Sequence, residues 1–196
     1  MEFVILIVLI FVTIIIFVFF KIKDNFSFMK SKVYETAYDL GKNFINVFPY
    51  DQLEKPAVMF DIDDTILFVN EKNNSLKPIK SMIKLLNYCI NKGLLIILIT
   101  ARDSNYTQQT IEQLNKYKIN YSYLYLRNAQ TDNFYTFKAE LKKKLSLKYN
   151  IEIIMSIGDN LIDIDGDYSG YGIKLPNKED PKLYHINNKG NLEEIV

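Results

Sequence analysis

Ala57-Val58-Met59-Phe60-Asp61-Ile62-Asp63-Asp64-Thr65 is the stretch on which the reading of the fold turns. Its first half follows Lys55-Pro56 and is short and wholly apolar, the pattern of a strand buried on both faces. Its second half sets acidic and hydroxyl side chains just past the end of that strand. Downstream, residues 94–99 form another unbroken apolar run, and residues 121–126, 151–157 and 171–175 read as further strands. Helical spacing fills the gaps. Pro78 opens a predicted helix carrying Ile79, Met82, Ile83, Leu86, Cys89 and Ile90 on one face, with Gly93 at its C-cap. Residues 107–117 and the Lys-rich 137–147 form two more. Strand and helix in alternation predict an α/β sheet with right-handed crossovers. Ligands of such sheets lie beyond the C-terminal strand ends. The residues there are Asp61-Ile62-Asp63-Asp64-Thr65, Thr100-Ala101-Arg102 and Gly158-Asp159-Asn160.

Upstream, residues 31–48 carry Val33, Ala37, Leu40, Phe44, Ile45 and Phe48 at helical spacing, a lead-in helix expected to pack on the main domain. Earlier still, residues 3–20 are large and apolar except for Thr13. As a helix they span about 27 Å at about 1.5 Å per residue, close to a hydrocarbon core of about 30 Å. Met1-Glu2 is not a basic start and no Ala-x-Ala-like step follows, so an uncleaved anchor is expected rather than a signal peptide. Lys21, Lys23, Lys30 and Lys32 follow the segment, and the positive-inside tendency puts the bulk of the chain on the cytoplasmic side of a single-pass membrane protein. The expected organisation is an anchor over 1–22, a linker and lead-in helix over 23–55, and one catalytic domain over 56–196.

Composition narrows the chemistry. Lys plus Arg number 24 against 23 Asp plus Glu, so the chain is not built to neutralise a nucleic-acid backbone. One Cys and one His, Cys89 and His185, leave no disulfide framework, no zinc ribbon and no His-paired nucleophile. Carboxylates and Lys remain. In an extended Asp61-Ile62-Asp63 step the two carboxylates face one way while Ile62 faces the core. If Asp159 and Asp163 converge on them, the mutual repulsion requires protons or a cation, and oxygen-only ligands suit the hard ion Mg²⁺. Singly, each piece has a plainer reading. Asp63 or Asp64 alone is a cap or turn residue, Thr100 a strand end, Gly158-Asp159-Asn160 a turn, and Lys138, among Lys142, Lys143 and Lys144, part of a solvated helix face. His185 reads as an exposed tail residue. The 163–167 acidic stretch fails the EF-hand pattern, because counting from Gly166 puts Leu161 and Gly172 at its first and last ligand positions.

Taken together, Asp61-Ile62-Asp63-Asp64-Thr65 resembles the first motif of haloacid dehalogenase-like (HAD) phosphatases, with Thr100, Lys138 and Gly158-Asp159-x-x-x-Asp163 where the later motifs fall. Thr100-Ala101-Arg102, the 124–127 stretch before Phe137-Lys138, and Lys174-Leu175-Pro176-Asn177 resemble the acid phosphatases of the group that includes plant vegetative storage proteins and bacterial surface acid phosphatases. The resemblance implies a Rossmann-like three-layer sandwich with a central parallel sheet. The stretch between Asp61 and Pro78 is too short for a large cap, leaving at most a small lid over 68–77 or 128–134. It implies Asp61 as nucleophile, forming an aspartyl-phosphate, and Asp63 as acid and then base. Thr100, Ala101 and Lys138 fall to the phosphoryl group. Mg²⁺ falls to Asp61, Asp159, the backbone carbonyl of Asp63, and Asp163 as support, with Asp163 alternatively orienting Lys138. Asp64 is expected to point away. Ala101 stands where the group has Gly, and Asn160-Leu161-Ile162 where it has a Gln-Trp-Ser-like segment, which leaves the phosphomonoester substrate open. Two rivals weaken on the residues. An idle storage or interaction protein of this fold would show loss of the nucleophile, and a membrane-anchored Asp-x-Asp glycosyltransferase gives no reason for Lys138 or the Gly158-Asp159 turn.

Overall fold

A computed structural model describes residues 32–70, 73, 75–187 and 190–195, with 15, 16 and 18. The expected anchor over 3–20 otherwise lies outside the described residues. Among those residues no helix is long and apolar enough to cross a membrane.

The apolar run after Lys55 becomes β1 (Pro56–Phe60), whose residues from Ala57 onward are fully buried. It lies parallel between β4 (Leu95–Asp103) and β6 (Glu152–Gly158). With β5 (Tyr123–Arg127) beyond β4 and β7 (Tyr171–Lys174) beyond β6, the parallel sheet has the order β5-β4-β1-β6-β7. Two short antiparallel strands, β8 (Tyr184–Ile186) and β9 (Leu192–Glu194), extend it past β7. Alternate side chains of β1 divide between two cores. Val58 and Phe60 join one with Ile96, Leu98 and the helices α1 (32–47) and α2 (Lys80–Asn91). Ala57 and Met59 join a thinner one with Ile97, Ile99 and Leu145 of α4 (Phe137–Tyr149). Helices on both faces of a parallel sheet make the α/β fold that the sequence pattern predicts, in the three-layer form that the family resemblance implies.

The lead-in helix α1 buries Tyr34, Ala37, Tyr38 and Ile45 in the larger core, and Phe44 stacks on Tyr171 of β7 with ring centroids 4.6 Å apart. Gly41 lets it approach α2, since a Cβ there would lie 2.6 Å from Leu85 Cδ2.

Pro78 does not open a helix. It is the last residue of β3 (Ser75–Pro78), paired antiparallel with β2 (Leu67–Asn70) so that Leu67 faces Pro78, and α2 starts at Lys80. The small lid expected over 68–77 is this hairpin. It is launched by Asp64, whose φ of 51° is a left-handed turn conformation that Asp tolerates better than most residues. Asp64 Oδ1 accepts from Val69 N at 3.0 Å. His185 is not a free tail residue either. In β8 its Nδ1 lies 2.8 Å from Tyr171 Oη, and its Nε2 lies 3.3 Å from Glu193.

Candidate active site

The C-terminal ends of β1, β4 and β6 and the first turn of α4 converge. Asp61 follows β1, its N–H donating to Ile157 of β6, and Thr100 sits buried in β4. Asp159 follows β6, and Asp163 lies in the short helix α5 (Leu161–Ile164). Gly158 is required for this path, because a Cβ there would lie 2.1–2.3 Å from the Asp163 side chain. Asp163 in turn accepts from Asn160 N at 2.9 Å, closing a capping box on α5.

Lys138 ties these pieces together. Its Nζ lies 2.5 Å from both Asp61 Oδ1 and Asp163 Oδ1, and all three residues are at most 5% exposed. A cation in the first turn of a helix opposes the helix dipole, and here two carboxylates offset that cost. Burial works against the Lys138 charge, but Asp61 and Asp163 outweigh it and raise its pKa. Burial also lifts the Asp61 carboxyl well above the carboxylate range, with Lys138 pulling it back. The helix face is not solvated as Lys138, Lys142, Lys143 and Lys144 in sequence suggest. Lys142, one turn on, is also buried, and its Nζ donates to Asp163 O (2.9 Å), Asp165 O (2.8 Å) and Ser169 Oγ (2.5 Å). With only neutral acceptors around its ammonium, burial lowers its pKa to about 8.

Asp63 takes a different place from Asp61. Arg102 grips its carboxylate with both branches, Nε to Oδ2 at 2.7 Å and Nη2 to Oδ1 at 2.6 Å. The guanidinium is itself fixed by Thr110 Oγ1 (3.2 Å) and Gln113 Oε1 (2.7 Å) of α3 (Thr107–Lys116). The Asp63 side chain therefore stands apart from the acidic cluster, and only its backbone carbonyl is left as a candidate ligand. Thr100 Oγ1 accepts from Arg102 N at 3.3 Å, and Ala101 O accepts from Arg127 Nε at 3.4 Å. Asp64, expected to point away, is tied to the hairpin by its bond to Val69 yet also lines the acidic cavity, because the left-handed turn keeps its side chain at the edge of the site.

Asp61, Asp63, Thr100, Ala101, Lys138, Asp159 and Asp163 all line one cavity of about 130 Å³, which Phe134 of the 128–134 loop also borders. Every residue proposed from the sequence thus reaches it. Arg102 and Lys142 carry roles that the motif reading left unassigned. Position was the available signal: Arg102 follows the Thr100 strand end, and Lys142 is i+4 to Lys138 on one helix face.

One oxygen from each of Asp61, Asp159 and Asp163 can be chosen so that all lie within 4.8 Å of one another. Among the described residues Lys138 is the only cation in contact with them, and it reaches Asp61 and Asp163 alone. The Asp159 carboxylate accepts, among the described residues, only from the Asn160 amide, at 3.1 Å, and its burial raises its pKa to about 7, with Asp163 and Asp64 adding to the rise. Three buried carboxylates facing one ammonium leave negative charge over, and the donor set of hard oxygens fits a divalent cation such as Mg²⁺.

Comparison with known proteins agrees with this architecture. Residues 68–180, more than half of the chain, match the family described as HAD superfamily, subfamily IIIB (acid phosphatase). That span begins after Asp61 and Asp63 and includes the other site residues. No curated protein matches. Among solved structures, the class C acid phosphatase from Bacillus anthracis superposes with a TM-score of 0.58 at 21% identity, over 70% of this chain and 66% of that one. The same enzyme with tungstate bound gives 0.55 at 21% identity, over the same shares. The matched part of this chain thus spans just under two thirds of the length of that enzyme, and the likeness establishes the fold.

Proposed function

Because the chain belongs to the HAD superfamily, subfamily IIIB (acid phosphatase), we propose that it hydrolyses phosphomonoesters through a covalent phosphoryl-enzyme, with Asp61 as the nucleophile. The observation that carries this is the buried Asp61–Lys138–Asp163 bridge at the cavity of about 130 Å³. A carboxylate pinned by one oxygen to a buried ammonium keeps its second oxygen available for attack.

An Asp61 oxygen bonds to phosphorus as the ester P–O bond breaks, and Asp63 gives its proton to the departing alkoxide. Water then attacks the acyl phosphate, Asp63 takes the proton back, and orthophosphate leaves with Asp61 regenerated. Both Asp63 oxygens accept from Arg102, so one of those bonds must be given up when Asp63 takes from solvent the proton that it then delivers. Thr100 Oγ1 and the Lys138 ammonium meet the phosphoryl oxygens, where fixed donors are worth most. Mg²⁺ held by Asp61, Asp159 and the Asp63 carbonyl, with Asp163 in support, would supply the charge that lets two anions approach. Lys142 fixes the chain between Asp163 and Ser169 and so holds the Asp163 carboxylate against Lys138.

The apolar segment over 3–20, read as a single-pass anchor with the domain facing the cytoplasm, belongs to the same proposal. Alkaline extraction of membranes and protease protection of intact cells test it. Hydrolysis is tested by phosphate release from an aryl phosphate, with Mg²⁺, with chelator and with Asp61→Asn. Release that needs Mg²⁺, is inhibited by tungstate and vanishes in the variant supports the reading. Undiminished release by the variant overturns it.

A further inference from the structure

The outer face of α2 forms the floor of an open groove of about 590 Å³, on the opposite side of the sheet from α4 and away from the acidic cavity. We propose that this groove and the lysines around it lie against the anionic phospholipid headgroups of a membrane. The proposal goes beyond hydrolysis, and from the anchor reading of residues 3–20 it takes only the closeness of a bilayer.

Helical spacing builds the face. Lys80, Lys84, Asn87, Tyr88 and Asn91 stand in one stripe of α2, while Met82, Leu85, Leu86 and Cys89 turn into the core. Tyr38 of α1 and Tyr117, next to the C-terminal end of α3, complete the walls. Ser81 Oγ donates to Glu35 at 2.6 Å and Tyr88 Oη to Asn46 at 2.5 Å, which makes α1 and α2 one continuous surface.

Charge sets this face apart. Each tyrosine ring carries a lysine ammonium. Lys84 lies 4.1 Å from the Tyr38 centroid, Lys92 5.5 Å from that of Tyr88 and Lys116 5.5 Å from that of Tyr117. Lys42 lies 5.9 Å from both Tyr38 and Tyr88. An aromatic face steadies an ammonium without cancelling its charge. With Lys80, five lysines surround the groove, and none of them forms an ion pair among the described residues. No acidic residue lines the groove, and Glu35 beside it is taken up by Ser81. The chain as a whole balances 24 basic against 23 acidic residues, so the excess is local to this face.

Lysine and tyrosine together suit a bilayer interface, where the ring sits at headgroup level and the ammonium meets phosphate. Each lysine at an anionic surface is worth roughly fivefold in association. Position supplies the membrane. About a dozen residues separate Phe20 from the start of α1, a reach of at most about 40 Å. Tyr38 and Lys42 lie within the first three turns of α1. A groove tethered that closely meets headgroups at high local concentration. Nucleic acid fits less well, because no arginine, the side chain suited to two-pronged phosphate contacts, lines the groove. A domain lying on this face keeps the strand ends and the acidic cavity clear of the bilayer.

The test is lysine acetylation, read by mass spectrometry, on the full-length protein with vesicles of phosphatidylcholine alone or with added phosphatidylglycerol, after flotation. Lys80, Lys84 and Lys92 should react about fivefold or more slowly on anionic vesicles than on neutral ones or in solution. The exposed Lys144 and Lys148 of α4 should keep one rate throughout. Salt at about 0.5 M should erase the difference. Joint replacement Lys80→Glu and Lys84→Glu, at two exposed positions, should also remove protection from Lys92. Equal rates at Lys80 and Lys84 on anionic vesicles and in solution overturn the docking face, and flotation with neutral vesicles then leaves the anchor standing. A double variant in which Lys92 stays protected overturns the face as well. Flotation with anionic vesicles alone, with Lys80 and Lys84 protected, supports the face and overturns the anchor. Flotation with neither overturns both. Protection by a nucleic acid but not by anionic vesicles overturns the lipid assignment.

Discussion

On one side of Asp63, residues Asp61, Lys138, Asp159 and Asp163 are each at most 8% exposed and linked by short charged contacts. On the other, Tyr106 is 58% exposed and Gln109 sits in the open on α3. The first region is made of ions that could not be buried singly, so each member depends on the others for its charge and its place. The second is a surface cleft whose side chains can change without exposing or stranding a charge. Substitutions should therefore be severe and coupled in the first, mild and separable in the second.

Asp61→Asn should have the largest effect, lowering kcat by about 10⁴-fold or more, as loss of a nucleophile does. Steady-state phosphate release measures it. Lys138→Ala should follow, with a loss of about 10²–10³-fold from the removed electrostatic stabilisation. It should also destabilise the metal-free protein by about 3–5 kcal/mol, because Asp61 and Asp163 are left buried without their ammonium. A near-normal rate would return Lys138 to an ordinary helix face.

Lys142→Met sharpens the comparison, since Lys142 touches neither the cavity nor any carboxylate oxygen. It should weaken Mg²⁺ binding by about 10–100-fold, the range for a residue that supports a ligand from behind. Calorimetric Mg²⁺ titration reads this, and it should leave the relative rates on different esters unmoved. Lys142 also marks where sequence reading stops. The strands, the two-sided core and the placement of Asp61, Thr100 and Asp159 follow from apolar runs and from the rule for strand ends, while Lys138 reaches the site only through the family resemblance. Whether a lysine in a Lys-rich helix points inward does not, because α4 combines Leu141 and Leu145 with lysines on more than one face. The hairpin was equally hidden. Leu67–Asn70 and Ser75–Pro78 lack a strong apolar alternation, and their pairing depends on the turn at Asp64. The Asp63–Arg102 fork needs the register of β4 and the facing side of α3, neither of which the motif states.

Arg102→Lys should cost less, about tenfold in kcat, because a lysine supplies the charge but not the two-armed grip that orients Asp63. A larger fall in kcat/KM than in kcat for phenyl phosphate would place Arg102 in phosphate binding instead.

The smallest effect is on stability. Asp61 and Asp159 both titrate above the ordinary 3.8 when folded, Asp159 near 7. The folded metal-free chain then binds more protons than the unfolded chain between about pH 4 and 7, so these groups lose stability as pH rises through that window. The metal-free protein should melt lower at pH 7.5 than at pH 5, and both Mg²⁺ and Asp159→Asn should reduce that gap. A gap unaffected by either would remove Asp159 from the cation site.

The most direct test of the central claim is to quench turnover of a radiolabelled aryl phosphate in acid and locate the label by peptide mapping. The account predicts acid-stable, alkali-labile label on the peptide containing Asp61, and none in Asp61→Asn. A wild-type enzyme that accumulates label on another residue, or an Asp61→Asn protein that still carries label and turns over, would contradict it.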